Sequence, residues 1–171
     1  MRSRKTLIAL LPAALLLAAA APAHAPEPQK PVDLQHYAGQ WYEVARMHNM
    51  LEDNCVNAQA TYTPRQDGGY NVTQVCFHAD GKTKDYHADM KVLDPGMNAK
   101  FRLNFFPFVY KEYWVLDFPQ DNSWVVLGEP TGKYLWLFSR HSDLKTDKAA
   151  LVDRAKALGY DISKLIYDRG A

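Results

Sequence analysis

The sequence predicts an all-β domain, an eight-stranded antiparallel up-and-down β-barrel followed by one α-helix, on three observations. Short segments rich in β-branched and aromatic residues recur along the chain, each bounded by turn residues, as in an antiparallel sheet rather than in βαβ units. Eight such segments can be counted, enough to close, and closure removes the edges that a flat sheet of this size would expose. After the eighth, the hydrophobic period changes from two to that of a helix.

The first segment runs from Gln40 to Arg46, the second from Val56 to Thr63 and the third from Tyr70 to His78. Asp67-Gly68-Gly69 supplies the positive-φ positions that a hairpin between the second and third needs. The fourth, Lys84 to Leu93, and the fifth, Lys100 to Phe106, flank Asp94-Pro95-Gly96-Met97-Asn98. A sixth covers Glu112 to Asp117, a seventh Trp124 to Leu127 and an eighth Tyr134 to Ser139. Then Ala149, Leu151, Val152, Ala155, Ala157 and Leu158 mark an amphipathic helix from about Thr146, ended by Gly159 as a left-handed cap. The tail from Ile162 to Tyr167 is apolar enough for a short final strand.

Ahead of the domain, residues 1–23 read as a secretory signal, with Arg2, Arg4 and Lys5 preceding the apolar stretch Leu7 to Ala21. That stretch is short for a membrane span and is broken by Pro12. Cleavage before His24 leaves an extended, proline-rich leader over residues 24–31 and a single domain over residues 32–171. No cysteine lies in or just after the apolar stretch to take a lipid anchor, so the expectation is a soluble, exported protein, periplasmic or secreted. Of the 20 Lys and Arg, loss of those three leaves 17 against 19 Asp and Glu, a charge near −2 that offers nothing to nucleic acid. Seven Phe, four Trp and ten Tyr supply ample apolar area for one core or one lined cavity.

Two segments carry a family resemblance. Gly39-Gln40-Trp41-Tyr42-Glu43-Val44-Ala45-Arg46 and Tyr134-Leu135-Trp136-Leu137-Phe138-Ser139-Arg140 resemble the first and last strand signatures of the lipocalins, and with Tyr113-Trp114-Val115-Leu116-Asp117 they look most like the bacterial lipocalin and apolipoprotein D branch. The resemblance implies a calyx with the helix packed outside it. Gly39 would let the backbone tuck under the base, Trp41 would plug it, and Arg140 would lie over the indole. In an up-and-down barrel the start of strand one and the end of strand eight share a rim, so Trp41 and Arg140 would meet. The branch is associated with fatty acids, lysophospholipids and other small apolar molecules; its bacterial members are often lipid-anchored, a feature this sequence lacks the cysteine for.

With Trp41 and Arg140 inward, alternation assigns the cavity face. Strand one offers Glu43 and Ala45, strand two Val56, Ala58, Ala60 and Tyr62, and strand four Tyr86, Ala88, Met90 and Val92. Strand five adds Phe101, Leu103 and Phe105, and strand eight Trp136 and Phe138. Strand six is apolar on both faces and is represented by Trp114; strand seven is equally ambiguous. These residues could pack a solid core, but the alanines leave room, and an interior of eight strands can hold one small ligand. The expected partner is therefore a small apolar ligand, with no cofactor and no metal.

Loops after strands one, three, five and seven would surround the mouth. Phe106, Phe108 and Tyr110 then sit there, either gating the cavity with transient membrane contact or folding back over the barrel. Cys55 and Cys76 fall near the same rim, where export favours a disulfide. The oligomeric expectation is a monomer or homodimer.

Other chemistry finds less support. His24, His36, His48, His78, His87 and His141 show no metal-ligand spacing. Glu43 reads as a carboxylate paired with Arg140 or a backbone amide before it reads as an acid catalyst. Ser139-Arg140-His141 lacks a nucleophile elbow. Asn71-Val72-Thr73 is a glycosylation acceptor only in a host that glycosylates. The rival function is a thiol-dependent isomerase using a free barrel cysteine, and a tetrapyrrole carrier is a third reading.

Overall fold

A computed structural model describes residues 24–171; residues 1–23, where a signal segment is expected, lie outside the described residues. The leader runs along the outside of the barrel. Ala25 N–H bonds the Pro130 carbonyl near the mouth, Lys30 reaches Asp117 near the base, and Val32 N–H bonds Met97. A short helix, α1 (Leu34–Tyr37), follows. It is capped by Asp33, whose carboxylate accepts from the N–H groups of Gln35 and His36.

Eight strands then form one closed antiparallel barrel: β1 (Gly39–Met47), β2 (Cys55–Pro64), β3 (Tyr70–His78), β4 (Thr83–Val92), β5 (Lys100–Phe106), β6 (Val109–Asp117), β7 (Trp124–Gly128) and β8 (Leu135–Ser139). Each pairs with its neighbour in sequence, and β1 closes the ring against both β8 and β2. Helix α2 (Lys148–Ala157) packs outside, burying Leu151 and Ala155. The tail forms a 3-10 turn and then β9 (Leu165–Tyr167), which joins the sheet on β1.

Two apolar clusters result. One fills the barrel from Trp41 through Met90 and Phe101 to Trp136 and Phe138. The other lies between the wall and α2, with Val44, Ala45, Leu137 and Leu151 among its members. Strand six begins three residues earlier than the sequence suggests. The β5–β6 hairpin turns on Pro107 and Phe108 alone, with Phe108 at φ +68°.

Candidate functional site

The base is built from the chain's first turn upward. The Arg140 guanidinium stacks 3.6 Å from the Trp41 ring centre. It also donates to the carbonyls of His36, Tyr37, Ala38 and Gln40 at 2.6 to 3.0 Å, so one cation satisfies the C-terminal carbonyls of α1 and closes the floor. Trp41 Nε1 donates to Tyr37 O at 2.9 Å. Gly39 sits at φ +93°, which favours glycine, and a Cβ there would lie 3.4 Å from the guanidinium. Above the indole, Tyr37 packs against Tyr62 and Phe101 with ring centres 5.0 and 5.2 Å apart. Burial pushes the Tyr62 hydroxyl up to about 12 and the Tyr37 hydroxyl well above its ordinary value, so both stay neutral.

This aromatic plug makes the lower barrel solid. Met90 and Phe101 pack within it rather than facing open space, and Ala88 belongs to the same buried cluster while bordering a groove on the outer wall instead of the mouth cavity. A void of about 20 Å³ survives among Ala60, Tyr62, Leu103, Leu127 and Phe138. The open cavity, about 500 Å³, lies higher, at the mouth. Its walls are Tyr86, Phe105, Phe106, Tyr113, Tyr134 and Trp136, roofed on one side by Asn49, Met50 and Leu51 of the β1–β2 loop. Lys84, Asp85, Lys111 and Glu129 give it a charged rim. Tyr113 and Trp136, 5.0 Å apart, border both spaces and form the partition between them.

Several residues expected to face the cavity do not. Ala45 packs on the helix side, because a bulge between Glu43 and Ala45 puts one extra residue into β1 and reverses the alternation. Arg46 turns inward in its place. Trp114 also lies on the helix side, with Lys100 Nζ 4.1 Å over its ring; its neighbour Tyr113 faces in. Val56, half-buried beside a second bulge, lines neither space. Ala58 lines neither either, and its N–H is taken by Asp168.

Glu43 is fully buried, paired with Arg46 rather than with Arg140. Arg46 holds Glu43 at 2.8 Å and Asp168 at 2.9 Å, and donates to the carbonyls of Glu52 and Cys55. The Glu52 carboxylate, 1% exposed, reaches into the barrel from the β1–β2 loop. It accepts from Trp136 Nε1 at 2.8 Å, from Asn49 and from Gln74. One guanidinium thus faces three carboxyl groups away from water. Burial first, then the neighbouring Glu52 and Asp168 charges, raises Glu43 well above the ordinary carboxylate range. Burial raises Asp168 to about 6 against the pull of the Ala58 N–H and Arg46.

Cys55 and Cys76 form a disulfide across β2 and β3 with Cα atoms 5.2 Å apart. Both cysteines are consumed, which removes the thiol nucleophile that the isomerase reading requires. Among the described residues no group of His, Cys, Asp and Glu has metal-binding geometry. The β5–β6 tip projects outward: Phe106 is 70% exposed, Phe108 100% and Tyr110 54%. It does not fold back over the barrel.

Sequence reasoning missed Glu52, Arg46, Tyr113 and Asp168. Arg46 and Tyr113 each sit one residue from the expected inward position, and Asp168 follows the last strand. A glutamate in the polar loop from His48 to Asn54 carries no local signal that it will be buried.

A lipocalin-like domain model matches residues 32–169. The chain is 34% identical to temperature-induced lipocalin-1 of Arabidopsis thaliana over 80% of this chain and 78% of that protein. It is 31% identical to the outer membrane lipoprotein Blc of Vibrio cholerae, covering 83% and 86%. Mouse apolipoprotein D is 29% identical over 66% of this chain and 59% of its own length. Among solved structures, insecticyanin from the tobacco hornworm Manduca sexta superposes with a TM-score of 0.67 at 19% identity, covering 88% of each chain; at that identity the likeness speaks to fold alone.

Proposed function

The chain belongs to the lipocalin family, which binds small hydrophobic ligands, and we propose that it is an exported, non-catalytic carrier holding one fatty acid or lysophospholipid in the mouth cavity. The observation that carries this reading is the cavity of about 500 Å³ walled by aromatic side chains above a sealed floor. That volume is within the range of small-molecule sites. A chain of about sixteen carbons buried at about 0.8 kcal/mol per methylene gains on the order of 12 kcal/mol gross; association and desolvation costs reduce this to roughly micromolar affinity. The disulfide supports an oxidising compartment.

The same rim exposes Met50, Phe106, Phe108, Val109 and Tyr110, a cluster that supports transient contact with a membrane during loading. Phe108→Ser then slows uptake from lysophospholipid-doped vesicles several-fold, and equal transfer rates would remove the membrane step. The reading itself is tested by native mass spectrometry of the protein purified from its own cell envelope. One single-chain amphiphile per polypeptide is expected; a protein that stays empty, even with palmitate or lysophosphatidylcholine added, contradicts it.

A further inference from the structure

The barrel wall parts in two places, and one of the two is filled. Beyond Tyr42, β1 leaves β2, and the gap holds β9, with Asp168 accepting from Ala58 N–H and Arg169 N–H bonding Val56 O. The second parting lies between β4 and β5. Their ladder runs from Val92 with Phe101 to Asp89 with Asn104 and stops there. Toward the mouth, β4 continues from Ala88 to Thr83 paired only with β3, while β5 reaches Phe106 paired only with β6. No segment among the described residues fills this second gap.

A groove of about 390 Å³ lies over it. Asn71, Thr73, His87, Asp89 and Asn104 supply hydrogen-bonding groups along its sides. Phe105 is the residue shared between this groove and the mouth cavity, so a half-buried side chain separates a polar trough on the outer wall from the apolar chamber. The axial way out is roofed on one side. The β1–β2 loop crosses it, tied at one point by Glu52 to Trp136 and at another by the Tyr86 hydroxyl donating to Leu51 O at 2.7 Å.

We propose that the β4–β5 seam is a side portal with Phe105 as its door, through which the apolar chain of a lysophospholipid slides edgewise while its glycerophosphate headgroup stays in the outer groove. The Asn71 and Asn104 amides and the second nitrogen of His87, whose Nδ1 is bonded to the Thr73 hydroxyl, can donate to phosphate and glycerol oxygens, while Arg65 pairs the Asp89 carboxylate and offsets its charge. A lateral slot spares the headgroup from crossing the apolar chamber, where its desolvation would be uncompensated. The proposal rests on the carrier reading above and adds the route and the headgroup's seat.

A sixteen-carbon lysophosphatidylcholine bearing a headgroup diazirine, photolysed on the full chain and mapped by peptide mass spectrometry, tests it. Adducts are expected on residues 71–73, 87–89 and 104. Phe105→Ala should speed release of the same lipid about tenfold, a barrier effect carried by the off-rate, and Phe105→Trp should slow it. Leu51→Ser, in the axial roof, should change release less than Phe105→Ala does. Saturable binding with adducts confined to residues 49–51 and 129–134, or release that follows Leu51 and not Phe105, overturns the portal alone. No saturable binding overturns the carrier reading and the portal with it.

Discussion

Arg140 joins more of the floor than any other single side chain, since its guanidinium covers Trp41 and collects four carbonyls. Arg140→Ala should lower stability by about 2 to 4 kcal/mol, the combined scale of a partly desolvated cation–π contact and of carbonyls left without a donor. Arg140→Lys should recover less than half, because an ammonium cannot fork among four acceptors; urea unfolding of both variants measures this. That pair was legible in the sequence because strand ends of an up-and-down barrel meet at a fixed rim. The facing of Ala45 was not, since one extra residue at Val44 reverses the phase and nothing in Glu43-Val44-Ala45-Arg46 announces it. Trp114 and Tyr113 were ambiguous for another reason: both faces of β6 are covered, so no polar residue marks the outside. Their roles separate experimentally. Tyr113→Ala should weaken palmitate binding about tenfold or more, the scale of one buried aromatic contact. Trp114→Ala should lower unfolding stability and leave the palmitate dissociation constant within about twofold.

At the level of elements, strand number and most strand limits could be read from turn residues alone, while α1 and the merging of β9 into the ring could not. Asp33 was an available N-cap signal for α1, but a helix of four residues has no periodicity to support it. The β9 seam depends on Asp168, Glu43 and Arg46 meeting across 122 residues of chain. Because Asp168 is raised to about 6 and Glu43 is raised well above its ordinary value, the folded protein binds protons more tightly than the unfolded chain at both sites. The Asp168 contribution is fully present below about pH 4 and is lost as pH rises through about 6, and that of Glu43 declines in the same sense as pH rises above the ordinary carboxylate range. The exposed Asp67 and Asp143, both lowered to about 2, act in the opposite sense only at lower pH. Unfolding free energy should therefore fall between pH 5 and pH 7.5, and Asp168→Asn should flatten that slope. A free energy that climbs over this interval would refute the proton-holding seam. Beside the seam, where the Cys55 carbonyl accepts from Arg46, the Cys55–Cys76 bridge spans 21 residues, and reducing it should lower stability by about 3 kcal/mol in guanidinium unfolding.

For the whole molecule, closure divides the interior by height. Aromatic side chains from α1, β1, β2 and β5 fill the lower half, and the tie between Glu52 and Trp136 sets the level at which the filled part ends. The alternation of strands indicates which residues point inward. It does not indicate how far up the barrel the side chains meet across the axis, which is why Met90 and Phe101 were expected at a cavity and are found in a solid core. The chamber that remains suits one apolar chain. The most direct measurement is a calorimetric titration of the full chain with a sixteen-carbon lysophospholipid. One site, a dissociation constant of order micromolar and a negative heat-capacity change from apolar burial are expected. Heats that never saturate, or several weak sites with no heat-capacity change, would contradict the carrier reading.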